Sequence, residues 1–197
     1  MSDPETLKVY AAQAQTYADL TEGAVASDPM LTAFIASLPA RAHVLDIGCG
    51  PGTSARVIAA AEHTVTALDP VPEMVALSGQ HPGVTARIGG FEDITESRKY
   101  NAIWANFSLL HAPRSDMPRT LAAFHRALIA PGILHIALKL GTGEKRDAIG
   151  RLYTYYTEAE LRGLLTQQGF SVTDHATGRD KGLDGTYADW IALRADG

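Results

Sequence analysis

Excess positive charge, cysteine pairs and long apolar runs are all missing from this sequence. The formal net charge is −5, so the chain lacks the basic balance of a nucleic-acid-binding protein. Cys49 is the only cysteine, which excludes a disulfide within the chain. No apolar run approaches the roughly 18 residues of a membrane helix, and the chain begins without a signal-peptide pattern. We expect a cytoplasmic protein with neither a nucleic acid nor a membrane as partner.

Motifs of several enzyme classes are missing as well. The seven histidines show no metal-ligand spacing, so we predict no metal site. The sequence contains neither the G-x-S-x-G elbow of hydrolases nor a Walker A pattern. A nucleophilic thiol needs a base beside it, and no such base is identifiable for Cys49. We expect Cys49 to be a packed small residue.

Apolar segments that alternate with helical patterns are present along most of the chain. Helices are predicted over residues 5–20 and 28–37, and further helices then separate a series of strands. The predicted strands are residues 43–47, 64–69, 84–88, 100–106, 133–140, 170–176 and 187–195. Strands separated by helices indicate βαβ units. Because no linker divides the chain, we expect one domain, 1–197, with an N-terminal helical segment 1–38 and an α/β core 40–197.

The end of the chain breaks the alternation of strands and helices. The last two predicted strands are joined by TGRDKGLDG, a polar, glycine-rich segment, which predicts an antiparallel pair at the sheet edge. A capping box of Thr157 and Glu160 predicts the start of the preceding helix, and Gly169 its end. The predicted fold class is α/β: a Rossmann-like, doubly wound, mostly parallel seven-stranded sheet, with an antiparallel last strand and helices on both faces.

The segment VLDIGCGPG, residues 44–52, carries the strongest functional signal. Gly48, Gly50 and Gly52 follow the first predicted strand directly and open a helix. In open parallel sheets, ligands bind at the carboxyl ends of the strands, so a ligand is expected to approach this backbone closely. Asp69 ends the second predicted strand, where its carboxylate can accept hydrogen bonds from both hydroxyl groups of a ribose.

Asp46 distinguishes two ligand classes that fit a ribose acid and a bare turn. A dinucleotide places a pyrophosphate at the turn, and a pyrophosphate needs amide donors without a nearby anion. The full G-x-G-x-x-G spacing is also missing, since Thr53 stands three positions after Gly50. A ligand with an ammonium and a sulfonium group tolerates or prefers the nearby carboxylate of Asp46 by Coulomb attraction.

Four segments in order, VLDIGCGPG, ALDP, GGFEDI and YNAIWANFSLLH, resemble the motif series of the class I S-adenosylmethionine-dependent methyltransferases. The resemblance extends from about residue 40 to about residue 140. It implies that the glycine turn surrounds the methionine part of the cofactor, that the acid after the second strand binds the ribose, and that the end of the fourth strand lies beneath the methyl group. The implied cofactor residues are Asp46, Gly48, Cys49, Gly50, Gly52, Asp69, Pro70, Met74, Phe91, Glu92, Asn106 and Phe107.

Several residues outside these motifs have both a functional and a structural interpretation. Tyr10 and Tyr17 are spaced to share a helix face; the helix either covers the sheet or, as the resemblance suggests, forms a lid whose aromatic groups contact the cofactor. His111, after the fourth strand, is a candidate general base. The other candidates for substrate contacts are Tyr153 and Tyr155, as a pocket wall or a packed latch, and Arg146, with Lys145 and Arg151, as an anion site or a solvated loop.

The resemblance implies an S-adenosylmethionine-dependent methyltransferase that transfers the methyl group in line and releases S-adenosylhomocysteine. The sequence NFSLLH has Asn106 but no Pro-Pro-aromatic motif, which disfavours DNA-base and protein-glutamine methylation and favours a small-molecule acceptor. Two alternatives stay open: a non-catalytic cofactor-binding module and a nicotinamide-dependent oxidoreductase. The acceptor, the methylated atom and the choice between monomer and homodimer are left undetermined.

Overall fold

The computed structural model describes residues 3–25 and 27–197, without the side chain of Ala24. Residues 1, 2 and 26, which belong to the predicted N-terminal segment 1–38, lie outside the described part. The elements in chain order are α1 Pro4–Ala12, α2 Ala14–Val25, α3 Pro29–Ser37, β1 His43–Ile47, α4 Thr53–Ala60, β2 Thr64–Asp69, α5 Pro72–Ser78, β3 Val84–Ile88, β4 Tyr100–Asn106, α6 Met117–Ala127, β5 Leu128–Lys139, β6 Glu144–Arg146, β7 Leu152–Thr154, α7 Glu158–Gln167, β8 Ser171–Lys181 and β9 Tyr187–Asp196.

The described strands form a seven-stranded sheet in the order β3-β2-β1-β4-β5-β9-β8, beside a separate hairpin of β6 and β7. β1 pairs in parallel with β2 and β4, and β9 runs antiparallel to both β5 and β8. The predicted seven-stranded, mostly parallel sheet with a reversed last strand is confirmed. The predicted antiparallel pair at the sheet edge is confirmed too, since β9 inserts between β5 and the edge strand β8 and runs antiparallel to both.

Two apolar layers cover the two faces of the sheet. Leu45 and Ile47 face a core that contains α6 and α7, whereas Val44 faces α3 and α4. This division follows from the alternation of side chains along a strand. Asp46 therefore lies on the same face as Val44, beneath the first turn of α4. Within residues 3–25 and 27–197, no helix is both long and apolar enough to cross a bilayer.

The N-terminal region differs from the single helix predicted over residues 5–20. It forms α1 and α2, which are separated at Gln13. Asp3 caps α1 by accepting a hydrogen bond from the backbone N–H of Thr6 at 2.9 Å, and Pro4 occupies the first turn. Neither glycine nor proline marks the break at Gln13, so sequence patterning did not indicate it.

The hairpin of β6 and β7 is a second difference. This region was expected to be a solvated loop, an anion site or a packed latch, and no strand was predicted there. The predicted capping box at the start of α7 is confirmed, since Thr157 accepts from the backbone N–H of Glu160 at 3.2 Å and Glu160 accepts from that of Thr157 at 2.8 Å.

Candidate functional site

The glycine turn lies at the switch point of the sheet, between β2 and β4, where open α/β sheets bind ligands. The N–H groups of Gly48 and Cys49 both donate to a carbonyl oxygen near the end of β2, at 2.8 and 3.0 Å. Gly48, Gly50 and Gly52 have φ angles of 68°, 54° and 82°. A Cβ atom at Gly50 would contact only the Tyr17 ring, at 3.6 Å, so this position opens into the cleft beneath Tyr17.

Asp69 joins this turn to the end of β2. Its Oδ2 accepts from the N–H of Gly50 and its Oδ1 from the N–H of Val71, both at 2.9 Å. Burial raises the pKa of Asp69 to about 6, against the opposing effect of these two donors. Each oxygen retains a lone pair, and the residue lines the cleft, so the carboxylate is placed to accept hydrogen bonds from a diol.

Asp46 lies below the turn and does not line the cleft. Its carboxyl group accepts a hydrogen bond from the backbone N–H of Ala55 in the first turn of α4, and its Oδ2 has no partner in the described part of the chain. Burial and the nearby Asp69 carboxylate raise the pKa of Asp46 to about 8. The carboxyl is therefore largely protonated at neutral pH. Asp46 can therefore attract a cationic ligand only if binding of that ligand removes the proton.

A cleft of about 80 Å³ lies above the turn and is walled by α1, α2 and the ends of β1, β2 and β4. Most of the residues predicted to contact a cofactor line this cleft: Tyr10, Tyr17, Gly48, Gly50, Asp69, Pro70, Met74, Phe91, Asn106 and Phe107. His111, predicted as a substrate residue, lines it too. Sequence reasoning missed Thr6, Leu7, Val71 and Ser108.

The cleft combines an apolar wall with an unpaired hydroxyl. Val71, Met74 and Phe91 supply the wall, which suits a flat ring. The Oγ atom of Ser108 is buried and has no hydrogen-bond partner among the described residues. An unpaired buried hydroxyl is unfavourable, so its position indicates where a polar ligand group belongs. No pattern in the sequence distinguishes Ser108 from an ordinary serine at a strand end.

Asn106 and Phe107 form the floor of the cleft at the end of β4. The Oδ1 of Asn106 accepts a hydrogen bond from Nε2 of buried His135 at 3.1 Å, which orients the amide group. Phe107 has a φ angle of 52°, a left-handed conformation that is unfavourable for a bulky residue. Its ring contacts Trp190 edge to face, with 6.1 Å between the ring centroids.

Tyr10 and Tyr17 close the cleft from two different helices, not from one shared helix face. Their rings meet edge to face at 5.6 Å, so α1 and α2 act as one cover. Burial raises the pKa of both hydroxyl groups, and both tyrosines stay neutral. Because the enclosed space is small, a ligand of nucleoside size requires this cover to move outward.

A hydrogen-bonded chain links Tyr10 to His111 and Arg151. Arg151 Nη1 donates to the Tyr10 oxygen at 2.9 Å, and the Tyr10 hydroxyl lies 2.8 Å from His111 Nε2. His111 Nδ1 lies 2.7 Å from the Leu152 carbonyl oxygen, which can only accept, so Nδ1 carries the proton and Nε2 accepts from Tyr10. Burial lowers the pKa of His111 to about 4. The candidate base His111 is therefore neutral, but its basic nitrogen Nε2 is already hydrogen-bonded to Tyr10 of the cover.

A larger chamber of about 590 Å³ adjoins the cleft. Tyr10, Tyr17, Phe107 and His111 line both spaces. The remaining chamber walls include Tyr153, Trp190, Lys139 and Arg151, together with the β8–β9 connection. Tyr153 was predicted as a pocket wall, and the structure places it there. Arg151 is not solvated: it is 2% exposed and forms an ion pair with Asp147 at 2.8 Å.

Besides Asp46, three further predicted cofactor residues lie outside the cleft: Cys49, Gly52 and Glu92. Cys49 is buried in the core beside α4, and burial raises the pKa of its thiol well above the usual range. A Cβ atom at Gly52 would lie 2.8 Å from the Cα of Ser78, so Gly52 permits close packing of the turn against α5. Glu92 is exposed beside the cleft residue Phe91.

Two predicted substrate residues also lie elsewhere. Tyr155 and Arg146 line a surface cavity beside the hairpin and neither the cleft nor the chamber. Arg146 forms ion pairs with Asp3 at 2.8 Å and with Glu5 at 3.1 Å, because β6 lies alongside the start of α1. Its guanidinium therefore binds carboxylates at the start of α1, in the cover, and is not available to an anionic ligand.

Comparison with known sequences finds similarity to methyltransferases. The profile of the methyltransferase domain family matches residues 44–132. A ubiquinone biosynthesis O-methyltransferase of Xanthomonas axonopodis pv. citri is 28% identical over 163 residues, which cover 69% of this chain and 65% of that protein. The enzyme of the same name from Xylella fastidiosa is 29% identical over 160 residues, 68% of this chain and 62% of that one. The chain thus spans slightly less than two thirds of these relatives.

Comparison with solved structures identifies the fold. An S-adenosylmethionine-dependent methyltransferase from Methanosarcina mazei superimposes with a TM-score of 0.74 at 17% identity, over 86% of this chain and 97% of that one. The 1,6-didemethyltoxoflavin N1-methyltransferase of Burkholderia thailandensis, solved with bound 1,6-didemethyltoxoflavin and S-adenosylhomocysteine, gives a TM-score of 0.70 at 22% identity, over 100% of this chain and 91% of that one.

Proposed function

We propose that the chain is a class I S-adenosylmethionine-dependent methyltransferase and that it transfers a methyl group from S-adenosylmethionine to a small-molecule acceptor. The proposal rests on one observation above the others: the cleft and the chamber meet at Phe107 and His111. A two-substrate transfer needs two adjoining sites with a common wall. The relatives named as O-methyltransferases agree with such a reaction.

The residues of the cleft fit this cofactor. Asp69 would accept the ribose hydroxyl groups, the wall of Val71, Met74 and Phe91 would hold the adenine, and Ser108 would bind a polar group. When bound, S-adenosylmethionine supplies an electrophilic methyl group on a positively charged sulfur. The glycine turn and Asn106 would surround the amino-acid part, and the cover would exclude water from the reacting atoms.

His111 and Tyr10 would position the acceptor instead of exchanging protons freely. The Nε2 of His111 already accepts the Tyr10 hydroxyl proton, and Arg151 fixes the Tyr10 oxygen. A base role for His111 requires Tyr10 to release Nε2 when the cover moves. Orientation and exclusion of water therefore account for most of the proposed catalysis.

Calorimetric titration with S-adenosylmethionine, S-adenosylhomocysteine and NAD tests this function. We expect micromolar binding of the first two and none of NAD. Binding of NAD alone would instead support the oxidoreductase alternative. If both adenosyl ligands bind but no S-adenosylhomocysteine forms with phenol, amine, thiol or carboxylate acceptors, the non-catalytic alternative gains support and the proposed transfer is contradicted.

A further inference from the structure

Lys139 lies in the wall of the chamber and forms no ion pair with the described residues. It ends β5, is half-buried, and its Nζ lies 4.0 Å from the centroid of the Tyr153 ring. Within residues 3–25 and 27–197, no carboxylate lies within ion-pair distance of it. Burial and the nearby Arg151 lower the pKa of Lys139, while Asp184 and Asp147 oppose this shift. The charge of Lys139 is thus only partly compensated by the protein.

Two of the other charged groups of the chamber wall already have partners within the protein. Arg151 is paired with Asp147 at 2.8 Å. The carboxylate of Asp180 accepts the indole N–H of Trp190 at 2.7 Å. Lys181 adds a further positive charge at the exposed end of β8. An anionic group in the chamber would therefore find Lys139 available, whereas a cationic group would meet the three basic side chains of Lys139, Arg151 and Lys181 against one carboxylate, that of Asp180, among the described lining residues.

Aromatic side chains line the chamber around Lys139. The rings of Phe107 and Trp190 meet edge to face, and the ammonium group of Lys139 lies over the ring of Tyr153. β5 and β9 pair Lys139 directly with Trp190, which fixes the ammonium group and the indole on neighbouring strands. Planar aromatic molecules bind well between such rings.

We infer that the acceptor is a planar aromatic molecule with an anionic oxygen group, and that Lys139 binds this group while Phe107, Tyr153 and Trp190 hold the ring. This inference rests on the proposed function, because it names the substrate class of the same site. Tyr10 and His111 would then face the side of the ring nearest the cleft.

Three catechols of different charge test the inference: 3,4-dihydroxybenzoate, catechol and dopamine, which are anionic, neutral and cationic at pH 7. Each is titrated into the protein saturated with S-adenosylhomocysteine. We expect 3,4-dihydroxybenzoate to bind at least tenfold more tightly than dopamine, with catechol between them. Lys139→Met should remove this preference, and Lys139→Arg should retain most of it.

Matched controls separate the possible failures. Lys8→Met removes an exposed charge that lines none of the described cavities, and it should leave the preference unchanged. S-adenosylhomocysteine binding is measured for each variant: its absence from the wild-type protein contradicts the proposed function, and its retention by Lys139→Met shows that the variant folds. If S-adenosylhomocysteine binds but the three catechols bind equally, dopamine binds best or none binds, the inference is overturned.

Discussion

Asp69 is the single residue on which the cofactor assignment depends most. It ends β2, accepts two backbone N–H groups and lines the cleft. The same carboxylate therefore holds the glycine turn and faces the ligand. Its burial keeps both roles compatible, because hydrogen bonds to a charged carboxylate are stronger where water is excluded.

Replacement of Asp69 by alanine should weaken S-adenosylmethionine binding by about 1–3 kcal/mol, the scale of a charge-assisted hydrogen bond. Calorimetry measures the change. Asp174→Ala is the matched control, since Asp174 lies on β8 with its side chain 56% exposed and should not affect affinity. Unchanged affinity in Asp69→Ala would exclude the ribose contact.

His111 should remain neutral throughout the physiological pH range. Because burial lowers its pKa to about 4, protonation occurs only well below the usual value of about 6.5. Proton NMR of the imidazole Cε1–H should show no titration of His111 between pH 8 and 5, with His111→Gln used for assignment. A midpoint near 6.5 would mean that the Tyr10–His111 hydrogen bond does not persist in solution.

At the scale of elements, the hairpin of β6 and β7 fastens α1 over the cleft. Arg146 of β6 pairs with Asp3, and the backbone N–H of Leu152 in β7 donates to Thr6 Oγ1 at 2.9 Å. Arg151, between the two strands, donates to Tyr10. The cover is thus held by polar contacts that can break without opening the apolar core.

Arg146→Met should loosen this cover and shorten the residence time of S-adenosylhomocysteine. Because the Arg146 side chain is 42% exposed, the effect should be modest, roughly a twofold to fivefold faster dissociation. Surface plasmon resonance measures the rate. Arg162→Met breaks a comparable ion pair on α7 and should leave the dissociation rate unchanged. Equal dissociation rates in both variants would mean that the hairpin does not control the opening of the cover.

The elements that the sequence predicted are those with local signals. Buried runs such as HVLDI and TVTALD identify their strands, and the ordered glycines and acids identify the cleft. The position of β9 could not be predicted, since its pairing with β5 depends on register between distant segments. For the same reason Lys139 and Trp190 were missed: neither has a motif, and only their cross-strand pairing places both in the chamber.

At the scale of the whole molecule, the buried Asp46 makes stability depend on pH. Its pKa is about 8 in the folded protein and about 3.9 in an unfolded chain. Between these values the folded state binds more protons, so stability is fully present below about pH 4 and is lost as the pH rises towards 8. A buried carboxyl group that lowers the stability of the fold near neutral pH has no purely structural benefit. It fits a group whose negative charge is balanced by a cationic ligand.

Asp46→Asn removes this titration, so its advantage in melting temperature over the wild-type protein should grow from pH 5 to pH 8. The two pKa values imply a change of about 3–4 kcal/mol over this range, which corresponds to roughly 6–16 °C for a domain of this size. The asparagine amide beside Ala55 changes the melting temperature by the same amount at every pH. Only the growth of the difference with pH therefore reports the titration of Asp46. Asp189→Asn, whose side chain is 63% exposed on β9, should follow the wild-type curve. Parallel melting curves for Asp46→Asn and the wild-type protein would mean that Asp46 is ionised in the fold, and that cation binding need not remove a proton.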